Sequence, residues 1–211
     1  MIDIKLFTKV TMIRGILIAT TIFVIWEISC LFFKLPTFML PPPSKIFVSI
    51  YFNWDELLVH ASYTLVEILA SIAIGSIIGI TTALIISSSV TLKRWIMPIL
   101  LASQSIPVFA LAPLLILWLG YGMISKIVIG VLIVFFPITS NFTDALNKVP
   151  QELIDAGKTL NLTKIQLFWK IKIPSSLPGL CSGLRVAACF APIGAVVGEW
   201  IGGSTGLGSF M

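Results

Sequence analysis

A chain of 211 residues with 57% hydrophobic and only 11% charged residues, and a mean hydropathy of +1.06, is far more apolar than a soluble domain. A core of this size cannot hide that much hydrocarbon from water, so most of the surface must face lipid. The net charge of +5 comes without an aromatic-interleaved basic patch, which argues against a nucleic-acid partner, and a single histidine with no cysteine or carboxylate cluster at ligand spacing argues against a metal or cofactor.

The first run long enough to cross a bilayer, which takes about 20 apolar residues, is 14–33. It holds Glu27 and reads as a retained span, because no small-residue cleavage site follows it. The next stretch, LPTFMLPPPSKIFVSIYFNWDELLVH, begins extended at Pro41–Pro43. Ser44 is placed there to cap a short amphipathic helix, and Trp54-Asp55-Glu56 suits an interfacial turn. The second span, 63–90, carries Gly75 and Gly79 in GxxxG spacing, which allows close helix packing. The third, 95–118, contains Pro98, Pro107 and Pro113 and is expected to kink or unwind. Spans four and five cover 124–143 and 178–198. Cys30, Cys181 and Cys189 all fall inside apolar stretches, as small buried or lipid-facing residues do.

With the N-terminus in the cytoplasm, ten Lys and Arg residues fall on the inner side. Only Lys34, Lys45 and Lys126 fall outside, and Arg185 lies within the fifth span. This positive-inside bias sets the expected orientation.

Charges within spans are costly. Glu27 reads either as a functional group or as one turned to a helix contact, and Glu67 is close enough to the end of its span to reach the interface. Gln104 and Ser105, beside the helix-breaking Pro107, are better candidates for a solute path, because an amide and a hydroxyl can bond a polar solute without the desolvation cost of a buried charge. Glu199 and Trp200 end the fifth span. A carboxylate beside an indole can grip a flat polar ring, or the two are simply a solvated Glu and an interfacial Trp.

Residues 152–180, ELIDAGKTLNLTKIQLFWKIKIPSSLPGL, are the longest polar stretch. Pro150 ends the preceding segment, and Glu152 and Asp155 suit the first turns of a helix running to about Leu160. Asn161 suits a left-handed stop. Thr163 can cap a second helix over KIQLFWKI, with Ile165, Phe168 and Trp169 as its apolar face. Pro174 and Pro178 then turn the chain into the fifth span. A helix, a turn and an amphipathic helix on the inner membrane face form a shape that can dock into a partner's groove.

This block resembles the cytoplasmic coupling motif of ABC importer permeases: EAA, three residues, Gly, nine residues, then I-x-L-P. Asp155-Ala156-Gly157 stand at the EAA positions, Asn161 at the glycine, and Ile171-Lys172-Ile173-Pro174 at I-x-L-P. Asn tolerates positive φ, so that departure is mild; Gly157 costs helix stability. Residues 102–127 and 174–208 are similar to the subfamily importing sulfonates, taurine, nitrate and thiamine precursors. ASQSIP together with IGAVVGEW looks closest to permeases for the hydroxymethylpyrimidine thiamine precursor.

The resemblance implies an all-α polytopic membrane helix bundle and a single permease domain over 1–211. In it, 14–33 is an added N-terminal span, 60–211 is the core, and a coupling helix lies between spans four and five. It implies a bacterial cytoplasmic membrane location, a second permease copy, a cytoplasmic ABC ATPase dimer and a periplasmic or lipid-anchored substrate-binding protein. The ATPase would dock on Glu152, Asp155, Ala156, Gly157, Asn161, Ile171, Ile173 and Pro174. No GxxxxGK[ST] phosphate loop occurs in the chain, as expected of a transport subunit whose ATP is hydrolysed by its partner. The family ordinarily has six spans, so the last is expected to be missing after GLGSFM. An inactive or purely assembling remnant is therefore an alternative to a working permease, as is a permease for sulfonate-type anions. A membrane enzyme lacks its catalytic constellation.

Overall fold

The computed structural model describes residues 4–34 and 36–211, with side chains from residue 12 onward. The side chains of Lys5 and Lys9, counted above among the inner charges, lie outside the described residues. All regular structure among the described residues is helical, and it packs as two units, residues 1–57 and 58–211.

The first unit holds α1 (Ile4–Phe32) and α2 (Pro43–Phe52). Ser44 was expected to cap α2, but Pro42 is the N-cap and offers no side chain for the purpose. Instead the backbone N–H and the hydroxyl of Ser44 both donate to the Glu27 carboxylate, at 3.0 and 2.7 Å. The acid in the first span therefore does the capping, placing a carboxylate at the positive end of a helix dipole.

The second unit, from Leu58 on, contains the remainder of α3 (Trp54–Ser88), then α4 (Val90–Ser103), α5 (Val108–Leu119), α6 (Met123–Asn147), α7 (Gln151–Thr159), α8 (Lys164–Leu167), α9 (Ile173–Gly202) and α10 (Leu207–Phe210). Among the described residues, four helical stretches are long and apolar enough to cross a bilayer: Met12–Phe32, Trp54–Ser88, Met123–Asn147 and Lys164–Gly202. The pair α4 and α5 reaches that length only together and is bent by 94°. Of the three prolines in this region, Pro98 and Pro113 stay inside their helices and Pro107 makes the break. Pro107 lacks an N–H and disfavours helical backbone at Ile106, so the chain unwinds over 104–107 and restarts with Pro107 as the N-cap of α5.

Helix α6 is the centre of the unit. On one side Gly75 and Gly79 of α3 approach it so closely that a Cβ at Gly75 would collide with Val134, and one at Gly79 would lie 3.1 Å from Ile138. On the other side Gly183 and Gly194 of α9 meet the backbone of Pro137–Ile138 and Gly130, with Ala187 and Ala191 fully buried between them. Lipid gives little hydrophobic push between helices, so stability comes from dispersion in such close backbone contacts. Val134, Ile138, Ala187 and Ala191 form the middle of this core.

The segment after Thr163 departs from expectation. Thr163 does cap α8, accepting the Gln166 N–H while the Gln166 side chain accepts the Thr163 N–H. However, α8 does not end as a separate helix. It passes through a π-turn, Phe168–Lys172, straight into α9, and Pro174 and Pro178 do not redirect it. In the π-turn the Ile173 N–H donates to the Phe168 carbonyl, five residues back. This widened turn makes room for Pro174 directly after it. The apolar face also differs: Leu167 is buried and Phe168 half-buried against Phe142 and Leu146, whereas Ile165 and Trp169 point outward.

Candidate functional site

The broken span borders an open cleft of about 780 Å³ between the 104–107 break, α6 and α9. Gln104 and Pro107 line it, joined by Ser103, Ser140 and Asn141, and by the rings of Phe135, Phe136 and Phe190. Ser105 lies in the break but is not part of the lining. None of the sixteen lining residues is charged. Unwinding at Pro107 is what exposes Gln104 here, since in a continuous helix its amide would sit on a packed or lipid-facing surface. Asn141 donates its amide to the Pro137 carbonyl at 2.8 Å, keeping its side chain along α6 at the cleft wall.

At the end of the bundle near His60, the structure brings together residues scattered through the sequence. Lys126 on α6 is 2% exposed; its ammonium donates to Glu67 on α3 at 3.0 Å and to the Thr205 carbonyl at 2.7 Å. This corrects two expectations, because Lys126 is not an outer loop charge and Glu67 does not reach the interface. Both are withdrawn from lipid as a pair. Glu199 on α9 is fully buried, accepting the Thr64 hydroxyl at 2.6 Å and the Gly208 N–H at 2.6 Å. Trp200, next in sequence, turns outward and is 59% exposed. The structure therefore does not bring the indole and carboxylate of this pair to one face.

The opposite end carries the polar block of α7, α8 and the π-turn. In α7, Glu152 sits in the first turn and Lys158 in the last, complementing the helix dipole. Asp155 accepts hydrogen bonds from Lys158 at 2.8 Å and Gln151 at 3.1 Å, and these hold its exposed carboxyl below the usual carboxylate range. Gly157 is buried, facing Ile171, Leu167 and Leu162; a Cβ there would lie 2.6 Å from Ile171 Cδ1. The glycine that weakens α7 as a helix is thus what lets it lie against the π-turn. Asn161 has φ +55° and stops α7 in the left-handed conformation expected of it. Ala156 is exposed, Ile171 is half-buried beneath α7, Ile173 is half-buried against Ala83, Phe142 and Leu146, and Pro174 is exposed. Leu153, Leu160, Ile165 and Trp169 leave apolar surface open around the block.

The left-handed turn makes a direct test. Asn161→Gly is expected to hold or slightly raise thermal stability in detergent, because glycine enters this region without strain. Asn161→Val should cost about 1–2 kcal/mol, the penalty of left-handed backbone for a residue with a bulky Cβ.

That His60, Thr64, Glu67 and Lys126 gather at one end of the bundle escaped the reading of the sequence. The available signal was opposite charge: an acid and a base, each near the end of an apolar span, are better placed beside one another than in lipid.

Comparison with known proteins adds the following. Residues 71–211 match the family model described as binding-protein-dependent transport system inner membrane component. A probable ABC transporter permease protein of Haemophilus influenzae is 41% identical over 96% of this chain and 83% of its own length. The formylaminopyrimidine transport permease protein ThiX of Halalkalibacterium halodurans is 40% identical over 89% of this chain and 75% of its own. The riboflavin transport system permease protein RibX of Chloroflexus aurantiacus is 42% identical over 57% of this chain and 45% of its own.

Proposed function

The chain belongs to the family of binding-protein-dependent transport system inner membrane components and is an ABC importer permease subunit; from that premise we propose that its cargo is a small, uncharged heteroaromatic solute of the thiamine-pyrimidine type. The observation that carries this is the lining of the cleft at the helix break. Amide and hydroxyl groups can bond ring nitrogens and an exocyclic amine, phenyl rings can stack on a flat solute, and no charge is present. A sulfonate or nitrate would enter this space with no cation to replace its water, at a cost of several kcal/mol. The relatives whose names mention formylaminopyrimidine and riboflavin transport support the same class.

We further read the N-terminus as cytoplasmic, following the positive-inside bias, so that α7 and the π-turn face the ATPase and the His60 end faces outward. A second copy of the permease completes the pore. Glu152, Asp155, Ala156 and Gly157 then present α7 to a groove of the ATPase, Ile171 supports it from beneath, and Ile173 and Pro174 join the block to α9.

The test is uptake in cells lacking their own pyrimidine-precursor permease, with this chain co-expressed alongside its ATPase and binding protein. Saturable, ATP-dependent uptake of labelled hydroxymethylpyrimidine, unaffected by excess taurine, is the expected result. Gln104→Glu, which places an uncompensated charge in the cleft, should reduce that uptake by roughly tenfold or more. Competition by taurine would move the cargo to the sulfonates. An assembled complex without uptake would overturn the reading.

A further inference from the structure

The segment after α9 returns to the bundle and is fastened residue by residue. The Thr205 carbonyl accepts from Lys126 at 2.7 Å. The Gly206 N–H donates to His60 Nδ1 at 3.0 Å, the Leu207 N–H to the Thr64 hydroxyl at 2.9 Å, and the Gly208 N–H to Glu199 at 2.6 Å. Phe210 completes the attachment, its ring centroid 5.0 Å from that of His60. Gly206 has φ +112°, and the space a Cβ would take there is filled by the Glu199 carboxylate, so the segment fits in one register only.

Three of the four fasteners are buried groups that also bond one another or a second partner: Lys126 with Glu67, and Thr64 with Glu199. His60 is different. It is half-buried, it is the sole histidine of the sequence, and it meets the segment through a ring nitrogen that accepts a hydrogen bond. A nitrogen that accepts must be unprotonated, and imidazole is the side chain whose charge ordinarily changes between pH 5 and 8. In imidazolium both nitrogens are donors, so Nδ1–H would confront the Gly206 N–H and the bond would become a repulsion. The charged groups that meet the same segment are Glu199 from α9, against Gly206 and Gly208, and Lys126 from α6, which holds Thr205 and is paired with Glu67 from α3. Residues 203–210 contribute no charged side chain.

We propose that His60 is a proton-binding site through which mildly acidic medium on that face loosens Gly206 and Phe210 from the bundle. Neutral His60 holds these two residues in place; the imidazolium releases them. The sign follows from the bond: attachment is complete while His60 is neutral and is lost as the ring takes up a proton. Lys126 and Glu199 continue to hold Thr205 and Gly208, so the opening is local to Gly206 and Phe210 and the bundle stays folded. Which side of the membrane senses pH rests on the orientation proposed above, but the switch itself does not.

The test uses the full chain in lipid nanodiscs. Because there is one histidine, its imidazole resonance after isotope labelling reports the titration directly. Hydrogen exchange over 203–211, normalised to the intrinsic rate at each pH, reports attachment. Protection is expected to fall roughly tenfold between pH 7.5 and 5.5, the size of one lost hydrogen bond, with the same midpoint as the histidine resonance. His60→Gln, whose amide oxygen can accept the Gly206 N–H without titrating, should keep high protection at both pH values. Protection that does not change with pH, or a fall that persists in His60→Gln, would overturn the proposal. Neither measurement involves cargo or uptake, so a failed transport assay leaves this result to stand or fall by itself.

Discussion

Lys126→Met is expected to destabilise the protein by about 3–5 kcal/mol, the usual cost of leaving one member of a buried ion pair without its partner. The site explains the size. Glu67 is 0% exposed, and Lys126 supplies the hydrogen bond to its Oε1, while Oε2 is buried without a partner. Removing the ammonium leaves a carboxyl in a low-dielectric bundle facing Glu199 and frees the Thr205 carbonyl as well. The variant should show a large loss of folded yield and a lowered unfolding midpoint in detergent. Combining it with Glu67→Leu removes both charges and should recover most of the deficit. The residual, about 1–3 kcal/mol, is the unpaired Thr205 carbonyl. If Lys126→Met were as stable as the parent, or if the double variant were no better than the single, the pair would not be holding α3 to α6.

The second large effect is expected at Gly157, and it should appear in assembly. Gly157→Leu drives a branched side chain into space occupied by Ile171 and Leu167, whose atoms lie 2.6 and 3.1 Å from the nearest position a Cβ can take. Overpacking of this kind costs about 1–3 kcal/mol, and the easiest relief is for α7 to lift off the π-turn. Membrane insertion should be unchanged, while co-purification of the ATPase and coupled uptake fall by roughly tenfold or more, as a shift of about 1.4 kcal/mol in docking would give. Gly157→Ala should be close to neutral. Its single methyl meets the flexible end of Ile171, and the gain in helix propensity, about 1 kcal/mol, offsets the crowding. Ile171→Val in the leucine background should restore part of the association. An unaffected ATPase interaction in Gly157→Leu would remove α7 from the docking surface.

Much of the architecture was open to a reading of the chain because it depends on local chemistry. Hydropathy located the spans. Pro107 carried its own reason for breaking one of them, and Asn161 and Thr163 behaved as a left-handed stop and an N-cap, both being properties of single residues and their neighbours. What the chain concealed is non-local or depends on small differences. Lys126 and Glu67 are 59 residues apart, and each by itself looks like a charge escaping to the interface. Glu27 finds Ser44 rather than the reverse because Pro42 at the N-cap has no acceptor, leaving the donors of α2 to whichever carboxylate is near. The π-turn has no sequence signature: Pro174, a residue that usually ends or bends a helix, directly follows one widened turn, and Pro178 stays inside α9. Gln104 was legible as a polar group at a break, but the uncharged cleft around it came from α6 and α9, which only the fold could bring to it.

That widened turn also makes Lys164–Gly202 a single shaft of 39 residues, roughly 60 Å from end to end at 1.5 Å per residue. Its capped end lies under α7, and its far end carries Glu199. The extra residue of the π-turn offsets the angular phase of the two parts by about 100°, so the side chains that grip α7 and those that grip α6 emerge in different directions from one rod. The side chains under α7 and the carboxylate that accepts from Thr64 and Gly208 are therefore carried by one continuous helix, one at each end of it.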